Sequence, residues 1–315
     1  MLVRHRPTVL VTGANGFVGT ALVKYLLATD QYVVRGASRV PASWPAKIDS
    51  FAVGDVSGQT NWQAALTNAD MVVHLAARVH VMREASHNPL AAFRRVNVAG
   101  TLALAEQAAQ RGVSRFVFLS SIKVNGEEGV FSESDAPAPT DAYGLSKLEA
   151  ENGLRELAAR AAMQVVVIRP PLVYGPGVKA NFAGLMKLVS RGIPLPLAGV
   201  HNQRSFVSID NLTNFICETL TNPHAANETF FVSDGHDLST PQLIEAMANA
   251  VRKKARLFFV PTGLIQTAAS IAGKKSMAKR LLSTLQVDIT KARKLLNWQP
   301  LVSVEEALRR TVAAS

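Results

Sequence analysis

Tyr143 and Lys147 stand four residues apart in the run Tyr143-Gly144-Leu145-Ser146-Lys147. On a helix that spacing puts both side chains on one face. An ammonium beside a phenol stabilises the phenolate, drawing a pKa of ~10 toward the range useful for general acid–base work. The apolar run before it ends in Ser120-Ser121, where a hydroxyl can donate to the same substrate oxygen. Near the amino end, Thr12-Gly13-Ala14-Asn15-Gly16-Phe17-Val18-Gly19 follows an apolar run and opens a segment of helical period. Glycines at that spacing let the chain turn sharply and let a diphosphate approach the helix end, where free N–H groups favour negative charge. Proton exchange beside a dinucleotide is the equipment for hydride transfer at a carbon bearing a hydroxyl or carbonyl.

The end of the second strand of such a unit meets the adenosine ribose. Here it reads Arg35-Gly36-Ala37-Ser38-Arg39. No carboxylate is present for a free 2′-hydroxyl, and Arg39 or Arg35 can meet a 2′-phosphate, so NADP(H) is favoured and NAD(H) is the alternative. The plain alternative is that both arginines face solvent.

These groups must be held by a regular frame. Apolar runs at Thr8–Thr12, Tyr32–Arg35, Phe51–Val53, Met71–Leu75, Arg115–Leu119 and Gln164–Arg169 read as strands. Helical patterns at Gly16–Ala28, Gln59–Thr67, Leu90–Arg111 and Asp141–Ala162 alternate with them. Alternating strands and helices predict an α/β fold, a Rossmann-type doubly wound parallel sheet. After Pro170-Pro171 glycine and proline accumulate and a smaller, mainly helical substrate-binding lobe begins. The reading is a dinucleotide-binding domain over 1–170, rejoined by about 207–233 through a helix at Ile209–Thr221 and a strand at Thr229–Val232. The lobe then comprises 171–206 and 234–315.

Composition narrows the function classes. The 315 residues are 48% hydrophobic and 18% charged, which excludes a disordered, collagen-like or coiled-coil chain. The single cysteine, Cys217, cannot form an internal disulfide and reads as a small core residue. Met1–Thr12 shows basic residues and Pro7 before a short apolar run, so no export signal and a cytoplasmic location are expected. The uncharged stretch Leu257–Gly273 falls short of the ~20 apolar residues of a membrane span. Net charge is +11, and residues 251–315 hold 13 Lys and Arg against 3 Asp and Glu. Nucleic acid, anionic lipid or a small polyanionic substrate could answer that charge. No nucleic-acid module or interleaved aromatics accompany it, so it reads as solvated surface that also steers an anionic ligand. The histidines His5, His74, His80, His87, His201, His224 and His236 show no zinc spacing, and no metal is expected. Trp62 and Trp298 read as packing residues.

Glycine fingerprint, strand-end serine and Tyr-x-x-x-Lys, in that order, resemble the extended short-chain dehydrogenase/reductase superfamily. The likeness is to its UDP-glucose 4-epimerase-like group of nucleotide-sugar epimerases, dehydratases and 4-keto-reductases. It extends through Gly54-Asp55-Val56, His74-Leu75-Ala76-Ala77, Asn97-Val98-Ala99-Gly100-Thr101, Arg169-Pro170-Pro171, Tyr174-Gly175-Pro176-Gly177, Arg204 to Asp210, and Leu295-Leu296-Asn297-Trp298-Gln299-Pro300. The resemblance implies that Tyr143 is the acid/base, that Lys147 tunes it and holds the nicotinamide ribose, and that Ser121 orients the sugar oxygen. It implies cofactor contacts at Gly13, Asn15, Gly16, Phe17, Val18, Gly19, Arg39, Asp55, Val56, Leu75, Ala76, Ala77, Asn97 and Pro170. Asn181, Arg204 and Arg280 would hold a substrate diphosphate and nucleoside. Family 4,6-dehydratases carry Asp-Glu where this chain has Ile122-Lys123, so water elimination is not expected. The resulting expectation is hydride transfer at C4 of a UDP-linked hexose by a homodimer, in making polysaccharide precursors. Reduction of a 4-keto-sugar is favoured and UDP-hexose 4-epimerisation is the alternative. A small-carbonyl reductase and a non-catalytic dinucleotide-binding protein are the other classes.

Overall fold

The computed structural model describes residues 6–42, 48–79 and 88–314. His5, His80 and His87, and the first residues of the Met1–Thr12 stretch, lie outside the described residues.

Among the described residues eleven strands form three sheets: β1 (Thr8–Thr12), β2 (Val33–Ser38), β3 (Asp49–Ala52), β4 (Met71–His74), β5 (Arg115–Leu119), β6 (Gly129–Phe131), β7 (Gln164–Arg169), β8 (Leu172–Tyr174), β9 (Phe206–Ser208), β10 (Thr229–Phe231) and β11 (Leu285–Val287). Seven of them make one parallel sheet in the order β10-β7-β5-β4-β1-β2-β3. β6 pairs with β11 and β8 with β9 in two small parallel sheets. Strand order reverses between β1 and β4, so a crevice opens outside their carboxyl ends, where doubly wound sheets bind ligands.

The helices are α1 (Phe17–Thr29), α2 (Gln63–Leu66), α3 (Pro89–Phe93), α4 (Thr101–Gln110), α5 (Ala142–Arg160), α6 (Ala180–Ser190), α7 (Ile209–Thr221), α8 (Thr240–Ala250), α9 (Thr262–Ile271), α10 (Lys275–Leu282), α11 (Thr290–Leu296) and α12 (Val304–Ala313). Both sheet faces are covered, which explains the unbroken apolar strands. Val9, Val11, Val73 and Ile168 face the cluster with α1 and α7, whereas Leu10, Val72, Phe116 and Val167 face the cluster with α4 and α5. Full burial of each such side chain stabilises the fold by ~1.5–3 kcal/mol. A third cluster joins Tyr174, Phe182 and Phe206 to Leu238, Met247 and Leu308.

Three expectations need correction. The helix expected over Gln59–Thr67 shortens to α2, because Ser57 N–H donates to the Thr60 hydroxyl (2.9 Å) and Trp62 N–H to Gln107 Oε1 (2.8 Å), drawing backbone donors away from a helix ladder. The segment Leu90–Arg111 is helical but passes through a π-helical stretch at Arg94–Gly100. Residues 285–298, assigned above to the second lobe, pack in the cluster with α1 and α7. There Trp298 meets Phe215 edge-on at 4.8 Å and donates to Asn214 Oδ1 at 2.7 Å. Trp62 is likewise buried, and Cys217 is half-buried beside Tyr32. Among the described residues no helix is long and apolar enough to cross a membrane.

Candidate active site

β1 delivers the glycine turn to the crevice. Gly13 adopts φ +63°, and a Cβ there would lie 2.8 Å from Ala76 N; one on Gly19 would lie 2.2 Å from Gly13 O. The turn therefore closes only with glycine. Gly16 is the N-cap of α1 and supplies no side-chain cap, so the first-turn donors, with Phe17 and Val18 half-buried and Asn15 exposed around them, are open to an anion. Ala14 N–H donates to Ala37 O (3.1 Å) and Ala76 N–H to Thr12 Oγ1 (3.3 Å), which ties the turn to the ends of β2 and β4. Leu75, Ala76 and Ala77 are half-buried along that rim. The residues present fit a dinucleotide diphosphate.

Beneath the turn lies a hydrogen-bonded chain that sequence reasoning missed. Thr12 Oγ1 contacts His74 Nδ1 at 2.7 Å, His74 Nε2 contacts Thr101 Oγ1 at 3.0 Å, and Thr101 donates to Asn97 O at 2.7 Å. Asn97 itself is fully buried, accepting from Arg78 N–H (2.8 Å) and donating to Arg78 O (3.0 Å) and Ser146 Oγ (3.0 Å). The π-helical stretch brings it inward, so it positions the loop after β4 against α5. His74 is pushed down to about 3 by burial and then by the Lys147 charge. An unfolded chain protonates its histidine below about 6.5, whereas the folded chain resists until about 3, so stability falls as pH drops through that window. Between pH 6.5 and 5 this group alone should remove ~2 kcal/mol, at ~1.4 kcal/mol per pH unit. His74→Gln should flatten that part of the urea-midpoint profile; an unchanged slope in the variant would assign the acid sensitivity elsewhere.

Ser121, Tyr143 and Lys147 converge at the ends of β5 and α5. Asp141 caps α5, its Oδ1 accepting from Gly144 N–H at 2.7 Å, and so fixes the turn carrying Tyr143. The Ser121 side chain lies near enough to the Tyr143 hydroxyl to pull its pKa down, and Phe93 meets the Tyr143 ring edge-on at 5.9 Å. Lys147 is buried, donates to Leu119 O at 2.8 Å and sits 4.4 Å from the Phe118 ring centroid. The expectation that its charge draws the phenol down is not met in this state. Burial, with Asp141 adding to it, pushes Tyr143 up to about 12, and only Ser121 acts against this. Burial pulls Lys147 down to about 7 while Glu151 opposes.

Glu151, one turn beyond Lys147, is a second group the sequence reading passed over. Its Oε1 accepts from Ser120 Oγ (2.5 Å) and Arg169 Nε (2.9 Å), its Oε2 from Arg169 (2.5 Å) and Arg155 (2.8 Å), and Arg169 also reaches Asn125 Oδ1 at 2.9 Å. The four-residue step from Lys147 was the available signal. Pro170, buried after β7, accepts from Ile122 N–H at 3.0 Å and holds the loop behind Ser121. Lys123, at the place where dehydratases carry a carboxylate, instead donates to Glu127 at 2.8 Å and to Asp141.

Other expected contacts are arranged differently. Arg35 is held by Asp49 (3.4 Å), the Thr67 carbonyl and the Phe51 ring, so it is a structural residue and not a phosphate ligand. Arg39 is exposed and pairs with Asp55 at 3.4 Å, while Val56 packs toward Gly100. Arg204 donates to Ser283 O at 2.9 Å; burial, then the neighbouring Arg280 charge, lowers its pKa, and Glu127 opposes. Two guanidiniums held near each other suit an anion. Asn181 stands exposed in the first turn of α6. Among the described residues no group of three His, Cys, Asp or Glu is placed to hold a metal.

The chain resembles known proteins in sequence and fold. The profile of the NAD dependent epimerase/dehydratase family matches residues 9–232. The chain is 46% identical over 314 residues to the UDP-glucose 4-epimerase of Vibrio cholerae, covering 98% of this chain and 95% of that one. It is 28% identical to the 3-beta-hydroxysteroid dehydrogenase of Mycolicibacterium neoaurum, covering 95% and 89%. The structure of MoeE5 in complex with UDP-glucuronic acid and NAD superimposes with a TM-score of 0.79 at 27% identity, covering 98% of each chain.

Proposed function

As the chain belongs to the NAD dependent epimerase/dehydratase family, an extended short-chain dehydrogenase/reductase, we propose that it is an NAD-dependent UDP-hexose 4-epimerase. The observation that carries this is the convergence of Ser121, Tyr143 and Lys147 beside the glycine turn. The 46% identical relative named a UDP-glucose 4-epimerase, and the MoeE5 complex with NAD and a UDP-sugar, support the choice of epimerisation over the 4-keto-reductase favoured from sequence. They support NAD over NADP in the same way. This reading includes a homodimer working in the cytoplasm.

The glycine turn and the α1 amino end would hold the cofactor diphosphate, and Lys147 the nicotinamide ribose. When bound, the nicotinamide supplies reversible hydride acceptance at C4. Ser121 holds the C4 oxygen, and Tyr143 takes the hydroxyl proton and later returns it. Arg204, with Arg280, grips the substrate diphosphate, leaving the sugar able to present either face to the same Tyr143. A 4-keto-reductase is the second reading, favoured by Ala37, which leaves the end of β2 without a carboxylate, and by exposed Arg39.

Purified protein should retain NAD and, with no cofactor added, convert UDP-glucose to a mixture with its C4 epimer. Arg204→Ala should raise KM for the UDP-sugar ~10–100-fold, the scale of lost charged hydrogen bonds, and leave NAD content unchanged. Protein that is purified empty, takes up NADPH and reduces a 4-keto-sugar once per cofactor would replace epimerisation by reduction. Equal action on untagged carbonyl compounds would remove the nucleotide-sugar reading altogether.

A further inference from the structure

Residues 251–280 contain eight Lys and Arg and no Asp or Glu. Within them α9 has no buried residue. Ile265 packs on the third core cluster, while Leu264, Ala268 and Ile271, spaced four and three apart, form an exposed stripe about a quarter turn around the helix from it. Leu264 is 62% exposed and Ile271 84%. Phe259, at the approach to α9, is 69% exposed, and Met277 on α10 is 42% exposed. The side opposite Ile265 carries Gly263, Thr267 and Ser270 and so already serves as the solvent face, which leaves this second, exposed apolar stripe without a use among the described residues. Basic residues flank it in sequence. Arg252, Lys254, Lys274 and Lys275 are exposed, whereas Lys253 donates to Ser190 O and Lys279 pairs with Glu128 at 3.5 Å.

We propose that α9, with Phe259 and the flanking lysines and arginines, is a docking face for an anionic lipid bilayer, lying in the plane of the membrane surface. Charge complementarity selects this occupant. Apolar side chains enter the headgroup boundary while the flanking cations meet lipid phosphates. A second copy of the same face would bring like charges together, with no Asp or Glu among residues 251–280 to offset them. Nucleic acid would answer the cations but leave Leu264 and Ile271 without a partner. Its residues are distinct from Tyr143, Arg204 and Arg280.

The test is co-sedimentation of the whole protein with vesicles of phosphatidylglycerol and phosphatidylcholine at low and high salt. Wild type should bind the mixed vesicles, bind pure phosphatidylcholine at least ~10-fold more weakly, and be released by salt. Leu264→Ser with Ile271→Ser, and separately Lys274→Gln with Lys275→Gln, should each lower binding ~10-fold at unchanged Tm and turnover. No binding to the mixed vesicles, or binding that survives both pairs of substitutions, overturns the proposal. A change of oligomeric state in the Leu264/Ile271 variant would assign the face to a second copy. Mixed-sequence RNA bound by wild type more tightly than the vesicles, and kept by that variant, would assign it to nucleic acid.

Discussion

Tyr143→Phe should lower turnover by ~10²–10⁴, the scale of one general acid–base group, while leaving retained NAD and Tm unchanged. The ring remains, so its edge contact with Phe93 and its place in the first turn of α5 survive. What goes is the hydroxyl that neighbours Ser121. In the free protein burial keeps that hydroxyl protonated, up to about 12, so turnover near neutrality requires the bound state to lower it. The turnover profile should accordingly rise with pH through a Tyr143 value well below 12, and this limb should vanish in the phenylalanine variant. Near-normal turnover in that variant would take the acid/base role away from this position, whatever the substrate.

Glu151→Ala should be the most destabilising single change near the site, costing ~3–5 kcal/mol because it leaves the Arg169 guanidinium buried without its counter-charge. Both side chains are almost wholly buried, and the carboxylate takes four donors from three elements of the fold. Urea unfolding should show the loss as a lower midpoint; a midpoint equal to wild type would mean that water or a neighbour replaces the carboxylate. Glu151→Gln keeps the shape and removes the charge that opposes the downward pull on Lys147. Lys147, at about 7 in wild type, should then lose its proton at lower pH, so turnover should decline at pH 7–8 and recover on the acid side. An unchanged profile in the Gln variant would confine Glu151 to stability.

By itself the sequence determined the frame: local pattern sufficed wherever a segment's burial was the same along its length. Strands β1, β5 and β7 and helix α7 have the bounds read from apolar runs and helical period, because each is covered on both sides or presents one constant face. Glycine spacing and the four-residue step from Tyr143 to Lys147 likewise named the chemistry, since both are rules of local geometry. Tertiary structure decided what depends on partners distant in the chain. Arg35 and Arg39 read alike in sequence, yet the register of β2 beside β3 gives Arg35 to Asp49, and the loop after β3 gives Asp55 to Arg39. His74 carries no local mark of its role and Glu151 only its four-residue step from Lys147, because each acts through groups brought from other strands and helices. The ionisation of Tyr143 and Lys147 was set the same way: spacing predicts an attraction, and burial, which only the packed fold creates, outweighs it.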